Sequence, residues 1–156
     1  MKLIVFDVDG TLVDSQGDIL AAMGQAFEGE GLAAPSRDDI LSIVGLSLPQ
    51  AMARLAPAQD EASRARMVEG YKDAYIRLRA ETGVAASSPL YPGVREMLDA
   101  LAARDDLLVG VATGKSRRGL DKLLDGHGLR GLFVTEQVSD HHPSKPHPAM
   151  LLAAMS

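Results

Sequence analysis

The chain has no cysteine. Disulfides, thiolate metal sites and redox-thiol chemistry are therefore excluded. No stretch reaches 18 uninterrupted apolar residues, so no segment reads as a membrane span. The early apolar run "LIVF" is too short for the hydrophobic part of a signal peptide, and acidic residues follow at once. A soluble cytoplasmic protein is the expectation. No run of like charges marks a tail, and the net charge of −5 argues against nonspecific nucleic-acid binding. Internal repeats and low-complexity tracts are absent. What remains is 156 residues, 46% hydrophobic and 24% charged, enough for one sizeable domain or a domain with an insert.

Residues 2–6, "KLIVF", read as a buried strand: short, continuous and rich in β-formers. From residue 15 to 88 the pattern becomes helical. "GDILAAMGQAFEGEGL" carries Ile19, Met23, Ala26 and Phe27 at helical spacing, with Gly31 as a stop. "SRDDILSIVGLSLPQAMARLA" predicts two short helices broken around Gly45 to Pro49, the first capped by Ser36 with Asp39. A longer helix ends near Gly83, and "GVAASSPLYPG" reads as a linker or hinge. From residue 93, helix and strand alternate: "VREMLDALAAR" helix, "DLLVGVATG" strand, "SRRGLDKLLDGHGL" helix, "LFVTEQV" strand, and a last helix opening near Pro148. Such alternation implies a parallel sheet with crossovers. The expected architecture is an α/β, Rossmann-like core (residues 1–14 and 89–156) opened by an α-helical cap (15–88).

In an open parallel sheet, ligands bind beyond the carboxyl ends of the strands. Asp7 and Asp9 follow the first strand, Thr113 follows "LLVGVA", and Lys145 lies after "LFVTEQV" in a loop that Pro143 and Pro146 stiffen. Two acids, a hydroxyl and an ammonium thus converge from distant positions. Burying the acids is costly without a cation or hydrogen bonds. Each group has an ordinary reading as well. Asp9-Gly10 is a hairpin-turn dipeptide, although the segment beyond it turns polar and helical. Thr113 alone reads as a turn or cap residue, and Lys145 alone as a solvated side chain.

"GVATGKS" resembles a nucleotide-binding phosphate loop. Only three residues separate Gly110 from Gly114, however, and Gly110 falls inside a predicted strand, so the match fails. Gly114 and the helix start after it still offer backbone N–H groups to an anion. His141, His142 and His147, with Asp140, are a conceivable zinc set, but the three prolines among them suggest a loop shaped for other reasons.

In these segments the sequence resembles the haloacid dehalogenase-like hydrolase superfamily, and especially its phosphoglycolate phosphatase-like branch. "FDVDGTLVDS" resembles the first motif, "VATGKS" the second with Thr113, and "HHPSKPHP" the third with Lys145. The helical insert stands where that branch has its cap. The resemblance implies a magnesium-dependent phosphatase acting on a small phosphorylated metabolite, phosphoglycolate-like. Asp7 would attack phosphorus to form an aspartyl-phosphate, and Asp9 would protonate the leaving alcohol and then activate water. Repulsion between the two acids would help keep one protonated. Thr113 and Lys145 would hold the phosphoryl oxygens. Magnesium would bind the Asp7 carboxylate, the Asp9 carbonyl, phosphate and waters. Gly114 and the cap residues Val44, Gly45, Leu46 and Ser47 would contact substrate.

The second acid argues against dehalogenase chemistry, and Lys72, the insert's one lysine, reads as solvated rather than as a phosphonate-cleaving lysine. The family's fourth, acidic motif is absent, along with the strand that carries it. That strand would lie beside the first one, so its absence leaves "LIVF" as an apolar sheet edge. The expectation is a truncated or cleaved chain, open to self-association or to a complementing chain at that edge, with weak magnesium binding and slow turnover by itself. A non-catalytic phosphate-binding or regulatory module is the alternative reading, and a nucleotide switch a third.

Overall fold

The computed structural model describes all 156 residues. Its centre is a three-stranded parallel sheet in the order β1 (Lys2–Phe6), β2 (Leu107–Ala112), β3 (Thr135–Gln137). β1 and β2 pair from Lys2 with Leu107 to Phe6 with Val111, although about a hundred residues separate them in sequence. β2 is the middle strand, and accordingly Val109 to Ala112 are buried, whereas Leu3 to Phe6 of the edge strand β1 are only half-buried.

The Asp9-Gly10 step is a tight turn and not a hairpin, because β1 pairs with β2. Val8 O accepts from the N–H groups of Thr11, Leu12 and Val13, and Gly10 N donates back to Val13 O at 2.9 Å. Gly10 sits at φ +80°, a conformation that disfavours side chains. The insert leaves and returns at one place: Val13 bridges Leu90, Asp14 N donates to Pro89 O at 2.8 Å, and Tyr91 N donates to Leu12 O at 3.1 Å.

Between those points stand α1 (Gln16–Gly29), α2 (Arg37–Ser42), α3 (Leu48–Leu55), α4 (Glu61–Thr82) and α5 (Val84–Ser87). The Ser36 side chain accepts from Asp39 N and caps α2; Asp60 does the same for α4 through Ser63 N. The apolar stripe Ile19, Met23, Ala26, Phe27 is buried against Met52, Met67 and Tyr75. A second cluster, around Val8, Val13, Leu98, Val111, Leu120 and Phe133, fills the sheet side and shares no residue with the first. α6 (Val94–Ala102) and α7 (Arg117–His127) contribute to it, and α8 (Ala149–Met155) packs against the three strands.

Two segments differ from expectation. The linker 83–93 holds the short helix α5 and is docked, not loose. The backbone packs Gly126 of α7 so closely that a Cβ there would meet Val84 at 2.8 Å, and His127 Nε2 lies 2.7 Å from Ser88 O. β3 is only three residues long, paired through Gly110–Ala112. Before it, Gly131 takes φ +79° and Phe133 turns into the core.

Candidate active site

The two acids of the first motif meet different partners. Lys145 Nζ donates to Asp7 Oδ1 at 2.8 Å across 138 residues of sequence, and Thr11 Oγ1 approaches Asp7 Oδ2 at 3.3 Å. Asp9 Oδ1 accepts from Ser15 Oγ at 2.7 Å and is paired with Lys115 Nζ at 3.2 Å. Each carboxylate therefore has its own ammonium, and repulsion between the acids is offset locally. The Lys115 side chain is 9% exposed and the Lys145 side chain 29%. The buried pair is the more desolvated of the two, and it depends more on good geometry.

Thr113, at the end of β2, is 1% exposed. Its N–H donates to Gln137 O at 2.9 Å and its Oγ1 accepts from Lys115 N at 3.1 Å, so it shapes the turn that aims Lys115. It makes no hydrogen bond to Asp7 or Lys145. Gly114 N–H makes none within the protein. The helix start beyond it is already engaged: Ser116 Oγ accepts from Gly119 N, and Asp140 Oδ1 accepts from Arg117 N at 2.7 Å.

The cap loop 43–47 presses on this turn with its backbone. A Cβ at Gly114 would lie 2.6 Å from the carbonyl oxygens of both Gly45 and Leu46. Gly45 turns at φ +98°, and Ser47 N donates to Ser144 Oγ at 3.0 Å. The side chains of Val44 and Leu46 pack against the cap's own cluster. Beside them, between cap and sheet, lies a cavity of about 460 Å³ lined by Leu46, Gln50 and Arg54 of the cap and by Lys145 and His147, among others.

Gly110 lies inside β2, close against Thr135, which removes the phosphate-loop reading of "GVATGKS". The histidines are occupied separately: His142 Nε2 is 2.7 Å from Gln137 Oε1, and His147 Nδ1 accepts from Ala149 N. No three His, Asp or Glu side chains are grouped to hold a metal. Lys115 and Ser15 were not singled out from sequence. Both sit inside the quoted motifs, "VATGKS" and "FDVDGTLVDS", and that position is the one signal that marks them.

The chain resembles known proteins in sequence and in fold. The family model of haloacid dehalogenase-like hydrolases matches residues 4–156. A phosphoglycolate phosphatase of Vibrio parahaemolyticus is 32% identical over 97% of this chain and 67% of its own length. A probable phosphatase of Dickeya dadantii, IndB, is 34% identical over 99% of this chain and 66% of its own. A hydrolase from Pseudomonas syringae superposes with a TM-score of 0.80 at 25% identity, covering 97% of this chain and 67% of that one. A β-phosphoglucomutase from Clostridium difficile reaches 0.79 at 19% identity, over 98% of this chain and 68% of that one, and shares the fold. The chain thus spans about two thirds of the length of these relatives. A motif-bearing strand end, a helical cap and a matching family model together make this chain a member of the haloacid dehalogenase-like hydrolases, in their phosphoglycolate phosphatase-like branch.

Proposed function

We propose that this chain carries the phosphoryl-transfer site of a magnesium-dependent phosphatase for a small phosphomonoester, phosphoglycolate-like, working through an aspartyl-phosphate. One observation carries the reading: the two carboxylates of "DVD" are held by separate cations, Asp7 by Lys145 and Asp9 by Lys115 with Ser15. Separate partners equip them for separate roles. Asp7, the more open of the two, attacks phosphorus, and the ester P–O bond breaks as a carboxyl-phosphate bond forms. Asp9 passes a proton to the leaving oxygen, then takes one from the water that releases phosphate. Lys145 and the free Gly114 N–H stabilise the phosphoryl oxygens, with Thr113 holding the turn.

The oxygen donors at hand, the Asp7 carboxylate and the Asp9 carbonyl, suit magnesium completed by phosphate and waters rather than an all-protein cage. When bound there, the ion would neutralise phosphoryl charge.

A panel of phosphomonoesters with and without magnesium tests the proposal. Turnover should require the metal, vanish in Asp7→Asn, and fall about 10²–10³-fold in Lys145→Ala, the usual effect of deleting one transition-state donor. Turnover that persists in Asp7→Asn would contradict it.

A further inference from the structure

Helix α4 places Tyr71, Tyr75 and Arg79 at four-residue intervals, along one face. Tyr75, in the middle of that row, is buried, and its ring is fixed from several sides. The Tyr71 ring centroid lies 5.7 Å away at an interplanar angle of 31°, and the Arg79 guanidinium carbon lies 4.6 Å from the Tyr75 centroid. The Tyr75 hydroxyl is 3.4 Å from Ser88 Oγ, on a residue wholly buried where the cap returns to the sheet.

Across the seam between cap and sheet, Lys115 Nζ lies 5.1 Å from the same ring centroid. A ring face attracts an ammonium, and more strongly where water is excluded. The Lys115 side chain is nearly buried, and Asp9 is its one carboxylate partner, with Nζ 3.2 Å from Oδ1. The ring adds no second carboxylate that would draw Lys115 off Asp9. Ser15 Oγ donates to the same oxygen at 2.7 Å. Both contacts therefore fall on Oδ1, and Oδ2 has no partner in the protein. The carboxyl group is held by one oxygen, and the other is left to carry a proton.

We propose that Tyr75 is a positioning residue for phosphoryl transfer: its ring holds Lys115 against Asp9 Oδ1 and so directs Oδ2 to the leaving oxygen. The inference rests on the phosphatase reading above and gives a cap residue a part in aligning the proton donor.

Leaving-group dependence tests it, because an alkoxide needs the proton and 4-nitrophenolate, a far weaker base, leaves without it. The quantities to compare are kcat/KM for phosphoglycolate and for 4-nitrophenyl phosphate with magnesium, which report the steps up to the aspartyl-phosphate. Tyr75→Leu should lower the value for phosphoglycolate about tenfold, part of the roughly 10²–10⁴-fold that a general acid supplies, and the value for 4-nitrophenyl phosphate less than about twofold. Tyr75→Phe keeps the ring and should stay within about twofold of wild type for both esters. Lys115→Met should show the same selective loss, and Tyr75→Leu should add nothing to it. Equal losses for both esters in Tyr75→Leu, a loss in Tyr75→Phe as large as in Tyr75→Leu, or a further loss on top of Lys115→Met would overturn the assignment. A measurement on the wild-type chain stands even if Tyr75→Leu fails to fold. The Lys115 ε-methylene protons should be shifted upfield by the Tyr75 ring current in proton–carbon NMR spectra, and ordinary lysine shifts there refute the proposal. Turnover without a selective loss sinks this assignment alone, whereas no turnover of either ester by the wild-type protein sinks the phosphatase reading and the assignment together.

Discussion

Lys115 and Lys145 divide the two carboxylates of the first motif between them, so that each acid has its own cation. The turn that aims Lys115 leaves no room for a side chain at its glycine. Gly114→Ala would set its Cβ 2.6 Å from the carbonyl oxygens of Gly45 and Leu46 and should therefore push the cap loop away, with an overpacking cost of about 1–3 kcal/mol. Faster hydrogen exchange of the Ser47 amide, now bonded to Ser144, is the expected readout, and unchanged protection would contradict the contact. At this scale the sequence showed that Asp7, Asp9, Thr113 and Lys145 stand at strand ends, because position after an apolar run is a local property. It did not show Lys115. A lysine between Gly114 and Ser116 looks like a solvated loop residue, and its burial comes partly from Tyr75, forty residues earlier in the cap. The separate pairing of the acids was hidden for the same reason: it is made by side chains far apart in sequence.

The helices formed where periodicity placed them; Ser36, the cap read from sequence, binds the amide three residues on, and Asp60 and Ser116 do the same in the structure. The elements that were misread depend on partners. α5 exists because the linker is docked on α7, and β3 is limited to the three residues that pair with Gly110–Ala112 of β2. The cap has its own cluster, with Met23, Met52 and Met67 wholly enclosed. Met52→Ala should destabilise that cluster by about 2–5 kcal/mol. Native-state exchange should then show lost protection in α1 and α4 while β1 and β2 keep theirs. A uniform loss over both clusters would show that cap and sheet unfold as one unit.

For the whole molecule, the parallel sheet and the inserted cap were legible from alternation alone, but the state of the sheet's edges was not. β1 pairs on one side only and carries Leu3, Ile4, Val5 and Phe6 half-buried. An apolar edge of this kind recruits further strands. We expect the chain to self-associate there, with a sedimentation mass that rises with concentration; a monomer at every concentration would contradict this. The central claim, that Asp7 accepts a phosphoryl group under Lys145, is tested most directly by a beryllium fluoride mimic of the aspartyl-phosphate, followed by fluorine NMR with magnesium present. Wild-type protein should show one bound fluoride species, lost in Asp7→Asn and weakened in Lys145→Ala. No bound species, or one that survives Asp7→Asn, would contradict the account.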